Sequence, residues 1–94
     1  MDDTQQAQAR QTLIEYPCDF PIKIMGARVD GFAQAVIEVV LRHAPDFDPA
    51  GVEMRPSSKG NYLAVTCTVR ARSQAQGDAL DRELTSHPMV KVVL

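Results

Sequence analysis

Hydrophobic and polar positions alternate through Asp19–Met25 (DFPIKIM). Phe20, Ile22 and Ile24 interleave with Pro21, Lys23 and Met25, the period-two signature of a half-buried strand. Pro21 has no amide to donate, so it belongs at the strand's start or on a free edge. Gly26 is expected to end the strand, and Asp30 to cap a helix with its carboxylate. The period changes across Asp30–Ala44, where Phe32, Val36, Val39, Val40 and His43 recur at spacings of three and four. Gln34, Glu38 and Arg42 form a polar stripe on the far side, with Glu38 one turn ahead of Arg42. Ile37 and Leu41 widen the apolar face, and Pro45 stops the helix before a turn-rich connection, Asp46–Gly51.

A short strand is predicted at Val52–Pro56, with Val52 and Met54 opposite Glu53 and Arg55. Ser57-Ser58-Lys59-Gly60-Asn61 reads as a turn, Gly60 and Asn61 being tolerant of positive φ. In the long strand Tyr62–Ala71, Leu63, Val65, Cys67 and Val69 face one way. Tyr62, Ala64, Thr66, Thr68 and Arg70 face the other, a polar, β-branched set suited to water. Ser73 caps a second helix over Ser73–Ser86, with a thin seam of Ala75, Ala79, Leu80 and Leu84, and Met89–Leu94 forms a last strand tied into the sheet.

Residues 1–15 are polar and Gln-rich, and read as a flexible N-terminal tail. A turn of helix is expected around Thr12–Glu15, from which Leu13 and Ile14 can dock on the single domain at 16–94. Strand, helix, strand, strand, helix, strand, with right-handed crossovers, implies an α+β, ferredoxin-like βαββαβ fold. Its four-stranded antiparallel sheet has the order 4-1-3-2, with both helices on one face. The other face, carrying Lys23, Tyr62, Thr66, Thr68 and Lys91, is left with nothing to cover it.

Composition narrows the function classes. The chain has 94 residues, so it builds one domain with one modest core and little room for a deep catalytic cavity. A net charge of -2 and a pI near 5.5 argue against a polyanion binder. No apolar run is long enough for a membrane span, and Met1–Arg10 is too polar for a secretion signal, which favours the cytoplasm. Cys18 and Cys67 read as two unpaired thiols, and neither shares a metal-ligand spacing with His43 or His87, so no metal site is expected.

Candidate chemistry is sparse. Lys59–Val65 echoes the basic-Gly-aromatic strand of RNA-recognition domains, but Asn61 and Leu63 stand where base-stacking aromatics are needed, and only Tyr62 faces out. RNA binding is therefore the weakest of the functional readings. The turn Ser57–Gly60 could form an anion nest, yet no helix follows it, and a plain hairpin turn is preferred. Asp46, Asp48, Asp78, Asp81 and Glu83 read as solvated charges, and His43 as a cation near a helix C-terminus. No nucleophile stands with a base and an orienting partner, so an enzyme is not expected. The wide face of the first helix, the uncovered sheet face and the sheet edges all suit association.

Four ordered runs carry a resemblance: Phe20–Gly26 (FPIKIMG), Val39–Pro45 (VVLRHAP), Pro56–Tyr62 (PSSKGNY) and Val90–Leu94 (VKVVL). Together they resemble the YbeD family of small bacterial proteins, over residues 16–94. The resemblance implies a ferredoxin-like fold similar to ACT-type regulatory domains, a cytoplasmic bacterial setting and a suggested place near lipoate metabolism, and it argues against enzymatic activity; no cofactor is expected. Its marks nominate Arg42, His43, Pro56, Ser57, Ser58, Lys59, Gly60, Asn61 and Tyr62 as binding residues. The expected function is a non-enzymatic regulatory or protein-interaction domain, meeting a protein partner or itself, without nucleic acid or membrane. The alternative is a sensor of a small effector, bound at a dimer interface near Gly26–Asp30.

Overall fold

The computed structural model describes residues 15–94. The chain runs β1 (Cys18–Ala27), α1 (Phe32–His43), β2 (Glu53–Pro56), β3 (Tyr62–Ala71), α2 (Gln74–Ser86) and β4 (Val90–Val93). A short 3-10 turn, Pro49–Gly51, joins α1 to β2. The strands pair antiparallel in the order β2-β3-β1-β4, which is the expected 4-1-3-2 read from the opposite edge. The expected helical turn and the docking of Leu13 and Ile14 lie outside the described residues, apart from Glu15, which is exposed coil.

The two-residue period of β3 sorts its side chains as expected: Val65, Cys67, Val69 and Ala71 are buried, while Tyr62, Thr68 and Arg70 are exposed. Against the buried set lie Ile24 of β1, Phe32, Val36, Val39 and Val40 of α1, and Leu80 and Leu84 of α2, forming one core. Ile37 and Leu41 are half-buried against that core, so the extra apolar width of α1 is largely used inside the domain. Burying one such side chain contributes about 1.5–3 kcal/mol, which makes this layer the main source of stability.

Four local expectations need correction. Gly26 does not end β1; the strand continues to Ala27, and its register against β4 slips between Met25 and Gly26. A Cβ at Gly26 would stand 2.3 Å from the Met89 carbonyl oxygen and 2.4 Å from the Phe32 ring, so only glycine lets that ring lie against the strand. Asp30 does not cap α1. Gly31 occupies that position at φ 85, and the helix starts at Phe32 with no side-chain cap. In α2, Ala75 is exposed, so the buried seam is narrower and rests on Leu80 and Leu84, while Ser73 does cap the helix, accepting from the Gln76 amide. In the α1–β2 connection, Phe47 is a core residue at 7 % exposure, and Asp48 accepts from the Ala50 amide at 3.0 Å to turn the chain back.

Pro21 sits in a strand that is central by order yet, among the described residues, has a free edge where the proline lies. Lys23 exchanges two backbone hydrogen bonds with Leu94, of 3.1 and 2.8 Å, and β1 is flanked on that side only from Lys23 onward. Two residues earlier, the Pro21 nitrogen faces the same way, past the end of the neighbouring strand, so no ladder bond is lost.

Candidate functional site

The nominated hairpin residues form a tightly bonded unit. The Gly60 amide donates to the Ser57 carbonyl at 2.9 Å and the Ser57 amide to the Tyr62 carbonyl at 2.9 Å. The Tyr62 amide donates to Ser57 Oγ at 3.2 Å. Gly60 takes φ 75, which closes the turn; Asn61 stays at negative φ. The Arg28 amide donates to the Asn61 carbonyl at 3.0 Å, tying the hairpin to the loop that leads into α1. Ser58, Lys59, Asn61 and Tyr62 remain exposed, with Pro56 at the end of β2.

Arg42 and His43 stand elsewhere. Both reach across to Glu83 of α2: Arg42 through its guanidinium, and His43 with Nε2 2.7 Å from Glu83 Oε1. Arg42 therefore pairs between helices and not with Glu38 in its own stripe. These two hydrogen bonds hold the Glu83 carboxyl below the usual carboxylate range. The Gln76 amide side chain donates to the His43 carbonyl at 2.7 Å, closing the end of α1 against α2. Because the hairpin is anchored ahead of α1 and His43 is its last residue, the two groups are separated by about 18 Å, the length of twelve helical residues. The nine nominated residues thus occupy two opposite ends of the domain.

Between those ends lies the open side of the sheet. Register sets its rows: Lys23, Thr66 and Glu53 stand side by side on β1, β3 and β2, and Met25, Ala64 and Arg55 form the next row. Ala64 is short, so a shallow depression of about 540 Å³ opens here, bordered by Lys23, Glu53 and Arg55 with Thr66 on its floor. Tyr62 flanks it at 48 % exposure, and Val92 on β4, beside Met25, at 45 %. Among the described residues no element covers this side. Arg42, Arg70 and Arg72 each pair with a carboxylate, whereas Lys23 and Arg55 have none within 4 Å among the described residues. Sequence reasoning placed Lys23, Tyr62, Ala64 and Thr66 facing outward but did not bring Glu53 and Arg55 beside them. Their signal was the β2–β3 register, which the closed turn at Gly60 fixes.

The remaining reactive side chains are built into the fold. Cys67 is buried, and burial pushes its thiol up to about 11. Cys18 lies opposite Ala71 while Cys67 lies opposite Ile22, a four-residue offset of about 13 Å that keeps the thiols apart. His87 accepts from the Met89 amide at 3.1 Å through Nδ1. No helix among the described residues is long and apolar enough to cross a membrane.

Comparison with known proteins gives this architecture relatives. Residues 11–94 match the family described as Protein of unknown function (DUF493). A UPF0250 protein of Leptothrix cholodnii is 58% identical over 90 residues, covering 96% of this chain and 99% of the relative. One from Ralstonia nicotianae is 55% identical over 93 residues (99% and 96%), and one from Bordetella pertussis 61% identical over 84 residues (89% and 92%). The chain therefore belongs to the DUF493 family of UPF0250 proteins, the YbeD-type family that its four sequence runs resemble.

Proposed function

We propose that this protein is a non-enzymatic interaction domain of the cytoplasm that regulates by contact, docking a partner protein on the open side of its sheet. One observation carries the reading: among the described residues the four-stranded platform has helices on one side only, and its other side holds a depression edged by Lys23 and Arg55, which have no carboxylate partner there, and flanked by exposed Tyr62 and Val92. Interfaces of this kind combine an aromatic or aliphatic anchor with charged groups that set register. The hairpin Pro56–Tyr62 extends the surface at one end, which gives the nominated residues from Pro56 to Tyr62 a role in it. Arg42 and His43 have a different one, joining the two helices behind the platform.

The sensor reading has less behind it. The glycine that suggested a ligand loop, Gly26, is accounted for by the Phe32 ring packed against it. The lipoate connection enters only as a choice of probe.

The experiment is affinity capture from the native cell with two baits, the unaltered protein and Thr66→Arg, which crowds the depression with a long cation. Identical unfolding curves for the two baits establish that the fold is intact. A protein retained by the first bait and lost with the second supports the proposal; equal retention by both overturns it. Sedimentation of the purified protein separates a foreign partner from a second copy. A thermal shift with lipoate-related acids addresses the sensor, since ligand at about 100 times its Kd adds roughly 2.7 kcal/mol of stability.

A further inference from the structure

β2 (Glu53–Pro56) is one edge of the sheet, and all four of its residues are exposed. The ladder fixes what that edge offers. The Ser57 amide donates to the Tyr62 carbonyl, and bonded pairs alternate from there, so Arg55 and Glu53 face Ala64 and Thr66 with their backbone groups. Met54 then points its amide and carbonyl away from β3. Its neighbours on that edge have no donor to give: the Val52 amide is taken by the Pro49 carbonyl at 3.2 Å, and Pro56 has no N–H. Among the described residues, the edge from Val52 to Pro56 thus presents one free donor, at Met54, whose side chain is 58 % exposed.

We propose that this edge pairs with the same edge of a second copy, antiparallel about a two-fold axis at Met54. Three features match under that operation. The two Met54 residues exchange both backbone bonds, each free amide meeting a free carbonyl. Glu53 falls opposite Arg55 of the second copy, and Arg55 opposite Glu53 of the second copy, which makes two cross-strand ion pairs on the open side. Within the chain neither residue has a salt-bridge partner among the described residues. On the helix side Val52, Met54 and Pro56 form an apolar row, which the axis lays against its own reversal. The other edge lacks this match, since β4 (Val90–Val93) carries Lys91 and no carboxylate. A foreign strand would have to supply the same order of charges, whereas a second copy brings it by symmetry. The contact is short, so the dimer is weak and forms with rising concentration. It joins two four-stranded sheets into one of eight strands and is independent of the docking proposed for the open side.

The test is sedimentation equilibrium of the full chain over a concentration series reaching about 1 mM, with amide spectra recorded across the same series. The average mass is expected to rise from one chain, 10.3 kDa, toward two, with the Met54 amide shifting in step. Glu53→Arg and Arg55→Glu each set like charges opposite one another at two places, and each should weaken self-association about tenfold or more. An equimolar mixture of these two variants restores both ion pairs and should recover the dimer. Met54→Pro removes the outward donor while leaving the bonds to β3 in place, and should remain a single chain with a folded amide spectrum. A mass of one chain throughout the series for the unaltered protein overturns the proposal. Undiminished association in either charge variant, or a mixture that associates no better than its components, overturns it too, by placing the contact away from this edge.

Discussion

The two sides of this one sheet follow opposite rules. On the helix side, β1 and β3 present Ile24, Val65, Cys67 and Val69, each almost fully buried against α1 and α2. On the open side the same two strands present Lys23, Thr66 and Thr68, with Tyr62 and Val92 about half exposed. The backbone is common to both, so the difference lies in what the side chains must satisfy. The helix side is constrained by close packing, where a single methylene matters. The open side is constrained by water, which leaves its charges free of the packing that fixes the core.

Substitutions should separate the two sides sharply. The steepest loss is expected from Gly26→Ala, because the new methyl would overlap the Met89 carbonyl and the Phe32 ring, both fixed within the core. A destabilisation of about 3 kcal/mol or more, or failure to fold, should be visible in urea unfolding. Next comes Leu84→Ala, which empties a fully buried position and should cost about 2–4 kcal/mol with little change in m value. On the open side, Thr66→Ala should change stability by less than about 0.5 kcal/mol in the same assay.

A smaller effect is expected at the helix pair and concerns pH. Glu83 has a depressed carboxyl in the folded protein because Arg42 and His43 hydrogen-bond to it. Its contribution is therefore fully present above the unfolded glutamate value, about 4.3, and is lost as the pH falls through the lower folded value. Glu83→Gln should flatten the acid limb of the stability curve below about pH 4.5 while leaving Thr66 variants unaffected. A parallel acid limb in that variant would remove Glu83 from the linkage.

Much of this contrast was legible in the chain. The strict alternation in Tyr62–Ala71 predicted β3 to the residue, and the three-four spacing of Phe32, Val36, Val39 and Val40 predicted the buried face of α1. Strand order followed from element order and handed crossovers. Phe47 was not legible, because one aromatic between two aspartates carries no period and resembles a loop residue. Gly26 read as a stop signal, since its real cause is the Phe32 ring, which only tertiary packing brings there. The open side could be named from the outward residues of β1 and β3. The depression within it could not, because it arises where the short Ala64 lies between Met25 and Arg55, a consequence of register across three strands.

The proposed docking on the open side can be probed most directly in the native cell with a photo-reactive benzophenone side chain at position 66, on that side, or at position 34, on the exposed face of α1. The expected result is a discrete crosslinked product from position 66 and none from position 34. A product from position 34 alone would move the contact surface to the helices and contradict the proposed role of the sheet.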